Sequence, residues 1–153
     1  MSKTPVLSPA EGRICAIERD ATQKISIFLA LWDNHVNRSP IAGRVERIIH
    51  TPGRYLPALS GSAGRRNENN WIVIRGERFE VGVRQVAGMV ARRIVCDCRE
   101  GEELRQGQRV GEILFGSRVD LHLPKHLKIL VRMGQRVRAG ETVVAVLPST
   151  SSG

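Results

Sequence analysis

The sequence predicts a mainly β protein: a compact sandwich or barrel of short strands with one or two short helices, built as a single domain over residues 1–153. Three observations lead there. Apolar and polar residues alternate in short runs rich in Val and Ile. Gly, Pro, Asn and Ser interrupt those runs at close intervals. Only one stretch carries a helical period. With 41% of the chain hydrophobic, there is enough apolar side chain to bury a core.

The elements follow in order. Residues 12–19 (GRICAIER) alternate and end in charge, and 24–32 (KISIFLALW) read as a buried strand. In 43–51 (GRVERIIHT), Val45, Arg47 and Ile49 alternate with Arg44, Glu46 and Ile48, so the strand is amphipathic only in part. Residues 52–70 hold Pro, Gly, Ser and Asn in quantity and predict a long loop, a type of segment that often carries function. NNWIVIRG and ERFEVGVRQV predict a hairpin through Arg75-Gly76. In VRQVAGMVARRIV, Val83, Val86, Ala87, Val90 and Ile94 form one apolar stripe of helical spacing, interrupted by Gly88. LKILVRMG and ETVVAVLP close the chain as strands. GQRVGEILFG, from Gly107, is echoed by GQRVRAGETVVAVL, from Gly134. The second copy resembles the glycine-valine hammerhead of lipoyl and biotinyl carrier domains.

The charge is lopsided. There are 24 Lys plus Arg against 15 Asp plus Glu, a formal net charge of +9, and only four of the 24 are Lys. Arginine grips phosphate and carboxylate through a fixed fork of donors, so anionic partners are expected. With 4% aromatic residues and no recognised motif, nucleic acid is not the expected one. Three cysteines, an odd count without a C-x-x-C pair, argue against a disulfide framework and for a reducing compartment. Cys96-Asp97-Cys98 is a weak hint of a metal site, but ordinary strand residues are the favoured reading, so no metal site is expected. The longest apolar stretch, ISIFLALW, is far short of the roughly 20 residues that cross a bilayer. Any meeting with a membrane is expected at its surface.

The chemistry is expected at Gly116-Ser117. A serine hydroxyl can attack the preceding carbonyl and turn the amide into an ester. Elimination and hydrolysis then leave a pyruvoyl group at a new N-terminus. Glycine before the serine leaves the approach open, and a base must help, because a serine hydroxyl is a weak nucleophile at its ordinary pKa.

FGSRVDLHLP, together with IFLALWDNHVNRSPIAGRV, NENN and RQVAGMVARRIV, resembles the phosphatidylserine decarboxylase proenzyme family in its short bacterial and archaeal form. The likeness runs from SPAEG to GQRVRAGETVVAV. It implies self-cleavage at Gly116-Ser117 into a β chain of residues 1–116 and an α chain of 117–153. It implies a pyruvoyl cofactor derived from Ser117, and conversion of phosphatidylserine to phosphatidylethanolamine through a Schiff base. His35 stands where the family has an essential histidine and is the implied base. The family's PADG segment, whose carboxylate orients that histidine, is PAEG here, so Glu11 takes the role. A second histidine of larger members is replaced by Arg38. Arg38 and Arg118 are candidates to bind the lipid phosphate or the serine carboxylate. His50 and His126 are expected to be solvated. His122, five residues beyond Ser117, would face away from it on a regular strand.

The resemblance also implies peripheral attachment to the cytoplasmic side of the cell membrane, and allows a homodimer. Family members carry a membrane-associated segment ahead of PADG, where this sequence has only 1–7, so attraction to an anionic membrane surface is the expected contact. Two alternatives stand beside this reading: a non-catalytic member that binds anionic lipid, and a pyruvoyl decarboxylase for a soluble amino acid.

Overall fold

The computed structural model describes residues 4–30, 33–54, 67–88, 94–114 and 116–148. Fourteen strands lie among them, and no helix does. The one or two helices expected from sequence are therefore not found. The stripe assigned to a helix begins inside a strand, Glu80–Val86, whose Val81, Val83 and Val86 are buried, and resumes in another, Ile94–Cys96. Cross-strand pairing on both sides of 80–86 outweighs a period interrupted by glycine. Expectations that fall on 55–66 and 89–93 lie outside the described residues.

The strands form two halves of one plan. The central curled sheet runs β13 (Arg136–Val137), β2 (Gly12–Arg19), β3 (Gln23–Phe28), β11 (Arg118–Leu123), β7 (Glu80–Val86), β6 (Asn69–Arg75), β5 (Gly43–Thr51) and β9 (Glu103–Leu104). All its pairings are antiparallel. Exchanging β13 with β9, β2 with β5, β3 with β6 and β11 with β7 reproduces the order. The two small sheets correspond in the same way: β1 (Thr4–Leu7), β14 (Val143–Leu147) and β12 (Lys128–Ile129) against β4 (Val36–Arg38), β10 (Arg109–Ile113) and β8 (Ile94–Cys96).

Local bonds repeat the match. Ser8 donates to Ala10 O and Ser39 to Ile41 O, both at 2.7 Å, in SPAEG and SPIAG. Leu7 N–H donates to Pro40 O, and Arg38 N–H returns the bond to Pro9 O, both at 2.9 Å. The half from β4 to β10 is continuous and sits inside the other, which is split into β1–β3 and β11–β14. The echoed GQRV segments belong to this repetition but are one turn out of step. Gly107 leads into β10 as Gly140 leads into β14, while Gly134 corresponds to Gly101.

The core lies on one face of the curled sheet, where period two puts Ile25, Ile27, Ile72, Ile74, Val83, Val119, Leu121 and Leu123 together. On the other face Trp71 lies across β7, and a Cβ at Gly82 would meet its ring at 2.0 Å, so only glycine fits beneath the indole.

Candidate active site

Strands β6 and β7 join by a tight hairpin: Arg75 pairs with Glu80, and Gly76 N–H donates to Phe79 O at 2.9 Å. Their counterparts β3 and β11 end on the same kind of pair, Phe28 with Arg118. No hairpin joins these two, because the whole continuous half is inserted between them. The two crossings, 29–35 and 114–117, meet instead. Gly116 N–H donates to Leu29 O at 2.7 Å, and Leu29 N–H donates to Ser117 O at 3.1 Å. The backbone groups on either side of the Gly116-Ser117 peptide are thus both bonded to one residue. Gly116 has φ +80°, a left-handed turn that glycine adopts at little cost. Ser117 is fully buried, and its hydroxyl donates to Leu114 O, three residues back.

The other crossing carries the acidic and basic groups. His35 is held through its carbonyl, which accepts from Ile113 N–H at 3.0 Å, so its main chain is fastened to the strand that leads into Ser117. Glu11 accepts the N–H of Asn34 at 3.0 Å, which places its carboxylate at the residue before the histidine. Asp33 is buried. One of its oxygens accepts Ala30 N–H at 2.7 Å, and the other meets the Arg136 guanidinium at 2.6 Å. Arg136 also lies 4.0 Å from Glu11. The hydrogen bond that it donates to Asp33 raises the pKa of Arg136.

Sequence reasoning missed Asp33 and Arg136. The available signal was a carboxylate two residues before the singled-out histidine, in DNH. Nothing local in GQRVR marks Arg136, whose partner is 103 residues away. A cavity of about 180 Å³, lined by Val95, Glu112, Ile113 and Leu114, adjoins the segment that enters Ser117.

The two candidate anion-binding arginines have internal partners. Arg38 donates to Gly107 O at 3.0 Å and so clips a turn of its own half. Arg118 is buried and bonds both oxygens of Asp120, at 2.8 and 3.1 Å. To hold a ligand it would have to release a carboxylate that is itself almost wholly enclosed.

His122 lies on a regular strand, roughly 17 Å of extended chain beyond Ser117 at about 3.3 Å per residue. Its ring meets Trp71 edge-on at 4.8 Å, and burial lowers its pKa to about 4. His50 is half exposed and bonded to Glu68 at 2.6 Å, so it is not simply solvated. His126 is exposed.

β8 stops at Cys96, and the sulfurs of Cys96 and Cys98 lie 3.8 Å apart, on the same side of the chain as residues two apart in extended backbone are. No cluster of three or more metal-ligating side chains occurs among the described residues.

Fold and site together define an all-β protein in which one glycine-serine peptide is fixed at the junction of two repeated halves. A family model for phosphatidylserine decarboxylase matches residues 1–145. The phosphatidylserine decarboxylase proenzyme of Desulfotalea psychrophila is 45% identical over 148 residues, covering 91% of this chain and 69% of that protein. That of Beijerinckia indica is 39% identical over 156 residues, covering 95% and 67%. The chain belongs to the phosphatidylserine decarboxylase family, whose members are carboxy-lyases.

Proposed function

We propose that the chain is a proenzyme that cuts itself between Gly116 and Ser117 and then decarboxylates phosphatidylserine to phosphatidylethanolamine at an anionic membrane surface on the cytoplasmic side. The observation that carries this is the double clamp of Leu29 on the backbone groups either side of the Gly116-Ser117 peptide, in a chain of this family. The Ser117 hydroxyl oxygen bonds the Gly116 carbonyl carbon and displaces the Ser117 nitrogen, which leaves an ester and an amine. Elimination across the serine Cα–Cβ bond then releases the Gly116 carboxylate. The resulting dehydroalanine takes up water and loses ammonia, which leaves a ketone. His35 is the base that takes the hydroxyl proton, with Glu11 and the Asp33–Arg136 pair fixing the loop that bears it.

The residues fit the resulting pyruvoyl group. It has one heavy atom fewer than serine and so suits a fully enclosed position, and the carbonyl that it keeps already accepts Leu29 N–H. When formed, that group supplies an electron sink for loss of CO₂ from an amine-bearing substrate. The Leu29 N–H polarises the amide beside it. The clamp, together with the burial of Ser117, keeps the α-chain terminus in place after the cut and shields it from water.

An intact mass spectrum tests the proposal. The 17.0 kDa chain should give way to two fragments divided at 116/117, the smaller lacking a free N-terminal α-amine. Ser117→Ala should remain whole. A wild-type chain that stays uncut for days at neutral pH would overturn the proposal.

A further inference from the structure

Among the described residues, the most exposed large apolar side chain is Met133, at 60%, followed by Leu130 at 47%. Met133 tips the turn Arg132-Met133-Gly134-Gln135. The counterpart turn in the continuous half is Arg99-Glu100-Gly101-Glu102, and the two agree bond for bond. Gly134 N–H donates to Ile14 O and Gly101 N–H to Val45 O; Ile14 N–H returns to Gln135 O and Val45 N–H to Glu102 O. The Gln135 side chain accepts from Arg132 N–H as Glu102 accepts from Arg99 N–H. Leu130 N–H donates to Val144 O as Asp97 N–H donates to Val110 O.

The backbones match but the surfaces do not. Leu130 and Met133 stand where the other half has Asp97 and Glu100. Asp97 pairs with Arg109, and Glu100 accepts Ile48 N–H. The same turn is built with acids at both positions, so the fold does not require the apolar pair. Exposed apolar residues that folding does not explain point to a partner.

Two facts identify it. First, Lys128, Arg132 and Arg138 flank the pair in the sequence, Arg13 donates to Gly134 O at 3.0 Å, and no acidic residue occurs from 121 to 140, while Arg136 is held by Asp33. Second, the turn is at the site's end of the sheet. Arg136, Arg13, Phe28 and Arg118 form one cross-strand row over β13, β2, β3 and β11. Three strand spacings put β13 about 14 Å from the strand headed by Ser117.

We propose that Leu130 and Met133 enter the headgroup–acyl boundary of a bilayer while the surrounding arginines hold anionic headgroups, which seats the Ser117 end of the sheet on the membrane. This rests on the reading above that the substrate is a membrane lipid. A water-filled gap between site and bilayer would otherwise have to be crossed by an acyl chain.

Flotation of the full chain with vesicles of phosphatidylcholine and phosphatidylglycerol, lacking phosphatidylserine, separates docking from turnover. Leu130→Asp with Met133→Glu copies the residues of the sibling turn, so the backbone should form as before. Its vesicle affinity should fall at least about tenfold, the scale expected when a short apolar anchor is lost, with self-cleavage unchanged. Ile49→Ser, at an exposed isoleucine on β5, should bind as wild type. Unaltered binding by the double variant, or an equal loss in Ile49→Ser, would overturn the proposal. So would loss of a wild-type dimer in vesicle-free solution, which would assign the patch to a second copy of the chain. Normal, turn-dependent docking without phosphatidylserine turnover would sink the proposed function and leave this inference standing.

Discussion

The two halves of the central sheet close in different ways. In the continuous half, β6 turns directly into β7 through Gly76 and Phe79. In the split half, β3 and β11 are as well paired but joined by no turn; Leu29 takes the place of Gly76 and Ser117 that of Phe79. A hairpin is held by its own covalent link. The β3–β11 corner must be held by bonds between distant segments, and this is where glycine in a left-handed turn, a buried serine, a buried aspartate and a bridging arginine gather. The comparison teaches that an insertion point between repeats can become a site, because two chain crossings must meet there and neither is closed by a local turn.

The largest effect should come from removing the bridge that only the split half has. Arg136 meets buried Asp33, whereas its counterpart Glu103 on β9 has an exposed side chain. Arg136→Gln leaves a buried carboxylate short of its charged partner, at a cost of about 1–3 kcal/mol. Urea denaturation should show that loss, and self-cleavage should slow as the loop bearing His35 loosens. Glu103→Gln should change neither. Equal effects from both would dissolve the distinction between the halves.

A somewhat smaller effect should come from the turn itself. Gly116→Ala forces a Cβ into left-handed backbone and should cost roughly 1–2 kcal/mol. Cleavage, followed by mass spectrometry over hours, should slow with it. Arg78→Ala, at the corresponding position of the hairpin, should leave stability and cleavage as they were. If Gly116→Ala cleaves at the wild-type rate, the left-handed turn plays no part in positioning the bond.

The smallest effect concerns the outer face, where His122 and Arg84 lie at corresponding positions of β11 and β7 around Trp71. Burial holds His122 near pKa 4 against an ordinary 6.5. The unfolded chain therefore takes up a proton below 6.5, while the folded chain does so only near 4. The contribution to stability is whole above pH 6.5 and is lost as pH falls through 4. His122→Phe keeps a ring against Trp71 and removes the proton, so its melting temperature should fall less than that of wild type between pH 7 and 4.5. Parallel curves for the two would show that His122 does not carry the acid sensitivity.

Much of this was readable along the chain. Residues 12–19 and 43–51 were delimited as they form, because alternating Ile, Val and Arg between glycine and turn signals have few other solutions. The Arg75-Gly76 hairpin and the Gly116-Ser117 pair were equally local. The helical stripe over 83–94 misled, since period alone does not register that β7 has partners on both edges.

The sequence by itself determined the class of fold, the positions of most strands, the candidate bond and its family, because those depend on periodicity and on short motifs of neighbouring residues. Only the tertiary structure decided that SPAEG and SPIAG begin equivalent halves, that Leu29 clamps the bond, that Asp33 and Arg136 meet across 103 positions, and that Arg118 is occupied by Asp120. The reason is physical. A strand's pattern is written in residues two apart, but an antiparallel sheet assembled from an interrupted half pairs residues from opposite ends of the chain. No local preference records which distant carbonyl or carboxylate a given donor will meet.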